Sequence, residues 1–242
     1  MRLLLKLSTI KDVPEEQFDK YSFQAAIYYS LLNTNFEDYH NKKGYKFFTF
    51  SDFYPSGDLK ANNIKNVIIS SPKNELIKTI YDYFNEKRII YLGNYALDIV
   101  ELKIFNIKGN ISEVITGSPI VIYDESKQNR YFSFRNNGSI SFFLRRIKEN
   151  AIKKYCEYKK LDQFEFNDLI FDSLKFKKEV VVNVNKRNKR FFLIGSLWYY
   201  LKKNHINYKY NDFYRFILDV GIGEKNSLGF GFLNPIKVKN NE

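Results

Sequence analysis

Along this chain the hydrophobic period switches from two residues to about four and back again, and it does so in the same order in each half. Leu3, Leu5 and Leu7 alternate with Arg2, Leu4 and Lys6, the period expected of a strand with one buried face. Between about Lys20 and Asn33, Phe23, Ile27 and Leu31 recur at intervals of four. That spacing builds a core-facing helical stripe and sets Gln24 and Tyr28 on a neighbouring face. KFFTFSDF and NVIISS read as strands, and Pro72 stands just before KNELIKTIYDYFNEK, where its missing N–H is cheap in the first turn of a helix. Ile77, Ile80, Tyr81 and Phe84 give that helix its apolar face. RIIYLG and ALDIVELKIFNI end the first half in strand-forming residues.

The second half begins near Gly117 with SPIVIY, inserts a hairpin around RYFSF, and continues into a helix from Ser139 through Lys160. Strands from about Ser173 to Asn183 and Arg190 to Leu201 flank the turn NVNKRNKR. Asn211 is placed to cap a helix through Leu218, and LGFGFLNPIKV reads as the last strand. Strand, helix, strand, strand, helix, strand is a ferredoxin-like order. The expected fold is therefore α+β, two tandem ferredoxin-like (RRM-like) βαββαβ domains with antiparallel sheets and a C-terminal glycine-rich loop. Gly109 and its polar neighbours in NIKGNISE separate two hydrophobic stretches, which places the domains at 1–112 and 113–242.

Thirty-nine Lys and Arg against 27 Asp and Glu leave a formal charge of +12 in 242 residues. A surface this positive favours a polyanionic partner, nucleic acid first, although A/T-biased codon usage would also enrich a chain in lysine. One cysteine, Cys156, forms no internal disulfide, and two histidines, His40 and His205, offer no cluster of soft ligands. No metal or other cofactor is expected. In MRLLLKLSTIKD, Lys6 and Asp12 interrupt the apolar run before a signal or membrane segment is complete, so the expectation is a cytoplasmic protein without a membrane partner.

The most specific motif is Gly221-Ile-Gly-Glu-Lys-Asn-Ser-Leu-Gly-Phe-Gly231, two Gly-x-Gly pairs on either side of a polar stretch. Glycine tolerates positive φ and close backbone approach, so successive N–H groups can converge on a phosphate, with charge from Lys225. Gly221, Gly223, Lys225, Asn226, Ser227, Gly229 and Gly231 are accordingly candidate phosphate-contacting residues, RNA-binding ones if the polyanion is RNA. Gly221 also suits a helix C-terminus. A dinucleotide fingerprint needs a strand before its glycines and a helix after them, the reverse of the order here. With Val220 before it and Phe232 and Leu233 after it, the segment resembles the C-terminal signature of the CRISPR-associated RNA-binding superfamily of paired ferredoxin-like domains.

Tyr39-His-Asn-Lys-Lys-Gly-Tyr-Lys-Phe-Phe-Thr-Phe-Ser51 resembles the active-site segment of the precursor-crRNA-processing endoribonucleases within that superfamily. Tyr28 on the first helix and Lys46, six residues after His40, match that family's Tyr, His and Lys triad in kind and order. Tyr29, adjacent to Tyr28, is the alternative tyrosine. The resemblance implies metal-independent cleavage of CRISPR repeat RNA, with a homodimer or a CRISPR effector complex as the larger assembly. The chemistry stands on its own terms, because the RNA 2′-hydroxyl can attack its adjacent phosphorus once a proton is removed. Such cleavage leaves a 2′,3′-cyclic phosphate and a 5′-hydroxyl. It needs a base, an acid, and a charge on the phosphorane. An unperturbed imidazole titrates near 6.5, which suits His40 to either proton transfer with Tyr28 as the other group, while Lys46 supplies positive charge.

Lys186, Arg187, Lys189 and Arg190 crowd a hairpin tip suited to gripping phosphates. Arg145, Arg146, Lys148, Lys153 and Lys154 spread over more than one face of the long second-half helix, which reads as a solvated surface. His205 reads as a surface residue. Two other functions compete: a non-catalytic RNA-binding subunit of a CRISPR effector complex, from which His40 is the distinguishing residue, and a generic basic nucleic-acid-binding module.

Overall fold

A computed structural model describes residues 1–108, 110–124, 130–136, 138–186 and 189–239. The chain divides into two compact units. The first comprises Met1–Asn106 with Val184–Phe191 and Ser227–Gly229, and the second comprises Ile107–Asn183, Phe192–Asn226 and Phe230–Glu242.

In the first unit, β1 (Arg2–Ser8), α1 (Lys20–Tyr29), β2 (Thr49–Phe50), β3 (Lys65–Ser70), α2 (Asn74–Lys87), β4 (Ile89–Leu92) and β5 (Tyr95–Phe105) follow in order. The strands form a five-stranded antiparallel sheet, β2-β3-β1-β5-β4. Removing the edge hairpin strand β4 leaves the ferredoxin-like arrangement, with β1 central. Alternation in β1 does what its period requires: Leu3, Leu5 and Leu7 are all fully buried. The α1 stripe of Phe23, Ile27 and Leu31 joins the same core, as do Leu76, Ile77, Ile80 and Phe84 of α2. Asp19 caps α1, its Oδ1 accepting from the backbone N–H groups of Tyr21 at 2.9 Å and Ser22 at 3.0 Å.

The long strand expected over KFFTFSDF shrinks to Thr49–Phe50. Phe47 turns the chain through the left-handed region at φ 54°, and its buried carbonyl accepts from the Ser71 hydroxyl at 2.7 Å. A bulky residue held there cannot continue a pleat.

The order repeats with β6 (Asn110–Thr116), α3 (Ile140–Lys159), β7 (Ser173–Lys186), β8 (Lys189–Lys202), α4 (Asn211–Val220) and β9 (Leu233–Lys239), all in the second unit except the ends of β7 and β8 that fall in Val184–Phe191. Its sheet runs β7-β8-β6-β9, with β8 and β9 antiparallel to β6. The fold is thus the expected pair of ferredoxin-like repeats, with local differences. The opening strand is NISEVIT, and among the described residues SPIVIY belongs to no strand and makes isolated bridges, Ile120 to Ser196 and Val121 to Glu224 among them. Around RYFSF, among the described residues, the isolated bridge Tyr123 to Tyr131 is flanked by backbone hydrogen bonds from Asp124 N–H to the Arg130 carbonyl at 2.8 Å and from Phe132 N–H to the Ile122 carbonyl at 3.0 Å. Asn211 is the first helical residue of α4 and not its cap, while Asn207 caps the 3-10 turn Tyr208–Tyr210 ahead of it. Ser139 caps α3 through the Phe142 N–H at 3.1 Å.

Candidate active site

Helix α1 positions Tyr28 by rotation alone. Its neighbour Ile27 is fully buried, and one residue further round, about 100°, Tyr28 is half-buried against the edge of the core. Tyr29 lies a further step outward and is 63% exposed, its ring 6.1 Å from that of Tyr83. His40 ends a 3-10 turn over Glu37–Tyr39. Its exposed ring meets the Tyr28 ring edge to face, centroids 5.2 Å apart at 88°. Of the two adjacent tyrosines, the fold brings Tyr28 against the histidine.

The Tyr28 phenol is pushed above its ordinary value, chiefly by burial, with a hydrogen bond to the Ser227 side chain pulling the other way. Gln24, one turn earlier on α1, donates from Nε2 to the Ser227 carbonyl at 2.8 Å. Ser227 and α1 belong to the same compact unit. His40 Nδ1 lies 2.9 Å from Asn41 Oδ1, a contact that orients the imidazole. Tyr28 and His40, with Tyr21, Gln24, Glu37 and others, line an open cleft of about 260 Å³.

Lys46 is close in space but aimed elsewhere. Its ammonium donates to the backbone carbonyls of Tyr39 and Lys42 and lies 3.4 Å from that of His40. It gathers the loop carrying His40 from behind, and it is not among the residues lining the cleft. Burial first, and the Lys42 ammonium second, lower its pKa.

The glycine-rich segment owes its composition to close backbone approach. A Cβ at Gly231 would sit 1.8 Å from the Ile222 carbonyl oxygen, at Gly223 2.4 Å from that of Val121, and at Gly229 2.1 Å from the Phe50 ring, and all three residues have positive φ. Gly221 ends α4 at φ 81°. Several amides in the segment are already used within the fold: Ile222 N–H donates to Gly231, Glu224 N–H to Val121, and Gly231 N–H to Pro119. What the segment offers outward is Lys225, exposed at φ 59° with its ammonium 5.6 Å from the centre of the Tyr123 ring.

Sequence reasoning missed Lys154. Expected on a solvated helix face, it is 1% exposed. Its ammonium donates to the Gly221 carbonyl at 2.7 Å, the Gly223 carbonyl at 3.3 Å and Asn226 Oδ1 at 2.8 Å. Asn226 in turn donates to the carbonyls of Ile222 and Phe230, so lysine and asparagine together tie the polar segment closed. Burial lowers the Lys154 pKa to about 7, with Glu224 opposing the shift. No spacing signal separates Lys154 from Lys153.

Arg187 lies outside the described residues, and Lys186, Lys189 and Arg190 are described only as parts of β7 and β8. His205 is exposed. Among the described residues no group of three or more His, Cys, Asp or Glu side chains is arranged to hold a metal ion, and no helix is long and apolar enough to cross a membrane.

The family model described as "CRISPR associated protein Cas6, C-terminal" matches residues 101–235. A curated protein of Methanocaldococcus jannaschii, CRISPR-associated endoribonuclease Cas6 2, is 36% identical over 98% of this chain and 100% of its own length. A solved structure titled CRISPR associated protein Cas6 superposes with a TM-score of 0.70 at 24% identity, covering 98% of this chain and 99% of its own. Another, described as an RAMP protein binding different RNA substrates, gives 0.73 at 20% identity, covering 98% and 100%.

Proposed function

This chain belongs to the Cas6 family of CRISPR-associated proteins, and we propose that it is an endoribonuclease that binds CRISPR repeat RNA and processes precursor crRNA. The observation that carries this reading is the pairing of Tyr28 with His40, rings 5.2 Å apart, at an open cleft in a protein of charge +12.

In the reaction proposed, the RNA 2′-hydroxyl loses its proton and its oxygen attacks the adjacent phosphorus. The bond to the 5′-oxygen of the next nucleotide breaks, and that oxygen takes a proton. The products are a 2′,3′-cyclic phosphate and a 5′-hydroxyl. Tyr28 and His40 are the two proton-transfer groups. Burial raises the pKa of the Tyr28 phenol, and of Tyr28 and His40 one serves as the acid and the other as the base. Lys46 holds the His40 loop through its carbonyl contacts and adds positive charge behind it. The proposed domains are 1–112, carrying this catalytic segment, and 113–242, carrying the glycine-rich loop. Gly221 to Gly231 and the hairpin bearing Lys186, Arg187, Lys189 and Arg190 are the proposed RNA-gripping segments.

The test is cleavage of labelled repeat RNA in excess EDTA by the native protein and by His40→Ala, with binding scored in parallel. Site-specific native cleavage, a cyclic phosphate on the 5′ product, and a variant that binds but loses about 10² to 10⁴ in rate are expected. Tight binding without cleavage across cognate repeats would instead identify a non-catalytic RNA-binding subunit.

A further inference from the structure

The cleft at His40 continues into a second, larger groove. Tyr21, Ala25 and Tyr29 line both, and the groove has a volume of about 530 Å³, within the range of small-ligand sites. The sequence explains why it is open. Ser22, Ala25, Ala26 and Tyr29, spaced three, one and three residues apart, lie on the same side of α1, and three of those four side chains are too small to fill the space beside the helix. The opposite wall comes from α2 and β4, with Tyr83, Phe84, Lys87 and Tyr91.

The walls are flat rings left in water. Tyr29 is 63% and Tyr91 64% exposed, and the Tyr29 and Tyr83 rings meet at 78° instead of stacking face to face. Lys87, a cation in the lining, is already paired with Glu86 at 2.7 Å. Such a trough suits planar uncharged groups better than phosphates, and aromatic faces that accept bases by stacking are the usual platform for single-stranded nucleic acid. We propose that this groove binds unpaired nucleobases of the RNA beside the scissile phosphate, with Tyr91 as a stacking platform at the end away from His40. The inference rests on the nuclease reading for the phosphate at His40. It adds a base-binding subsite continuous with the cleft, which would set the preference for unpaired nucleotides next to the cut.

The test uses repeat RNA with a 2′-deoxy nucleotide at the cleavage position and 2-aminopurine at the unpaired positions flanking it. Native protein should quench the 2-aminopurine fluorescence. Tyr91→Ala should lose the quench and about tenfold or more in affinity, the loss of one stacked base, while Tyr91→Phe keeps both. With abasic nucleotides at the same positions, native protein and Tyr91→Ala should bind alike. Equal binding of the intact RNA by native protein and Tyr91→Ala would overturn the proposal, as would an equal loss by the variant on intact and abasic RNA, or a loss in Tyr91→Phe. So would a dimer seen in sedimentation that Tyr91→Ala dissociates with RNA affinity unchanged, since the groove would then be a self-association face. If unblocked repeat RNA is not cut but the quench and its loss in Tyr91→Ala persist, the nuclease reading fails and the base subsite stands.

Discussion

At the scale of single residues, the difference between Tyr28 and Tyr29 is one helical step of rotation, and it decides which phenol touches the imidazole. Tyr28→Phe keeps the ring contact with His40 and removes only the hydroxyl. It should lower single-turnover cleavage by about 10² or more with RNA affinity retained, a far larger loss than in Tyr29→Phe. Gly231 and Gly57 supply a contrast in stability. Both have positive φ, but a Cβ at Gly231 meets the Ile222 carbonyl oxygen at 1.8 Å, whereas one at Gly57 meets nothing within 4 Å. Gly57→Ala should cost about 1 kcal/mol, the conformational term alone. Gly231→Ala should cost roughly 3 kcal/mol or more, because backbone must move. Urea unfolding midpoints of the two variants read the difference. The glycine pattern was legible in sequence because few other residues tolerate these backbone angles. The reason behind it was not, since a carbonyl from nine residues earlier in the chain supplies the clash.

At the scale of elements, two lysines tie loops together through backbone carbonyls. Lys46 serves the His40 loop and Lys154 the glycine-rich segment. Lys154→Met keeps the length of the side chain but leaves the Gly221 carbonyl and Asn226 Oδ1 without their donor, a cost of about 1 to 3 kcal/mol for each buried acceptor left unsatisfied. The pH dependence has a definite sign. The folded-state pKa, about 7, lies below the roughly 10.4 of a lysine in the unfolded chain. Between those values the unfolded chain holds the proton and the folded one does not. Native stability from this group is therefore fully present above pH ~10, falls as pH drops toward 7, and is flat below. Urea titrations across that window should show the slope in the native protein and not in Lys154→Met. Helix α1 depends on its cap in an ordinary way: Asp19→Ala removes acceptors for Tyr21 and Ser22 and should cost about 1 kcal/mol.

At the scale of the molecule, the charge of +12 makes RNA affinity an electrostatic quantity. Binding of uncleavable repeat RNA should weaken linearly in log K against log salt, with a slope of about −0.7 for each single-strand phosphate neutralised. The rate of cleavage from the saturated complex should change much less, because proton transfer between positioned groups does not release counterions. A salt-independent affinity would mean that the excess lysine reflects composition only and grips no backbone.

The alternating and four-residue hydrophobic periods running through both halves determined the paired ferredoxin-like order, and the two Gly-x-Gly pairs together with the segment around His40 carried the resemblance to the family. Those features follow from local periodicity and from backbone angles that few residues adopt, and both are written along the chain. The tertiary structure alone decided that Phe47 breaks its strand, that the Lys46 ammonium faces carbonyls, that Lys154 is buried while Lys153 beside it is not, and that α1 leaves an aromatic groove beside Tyr29. Each of those depends on desolvation and close approach between segments distant in sequence, which residue spacing does not encode.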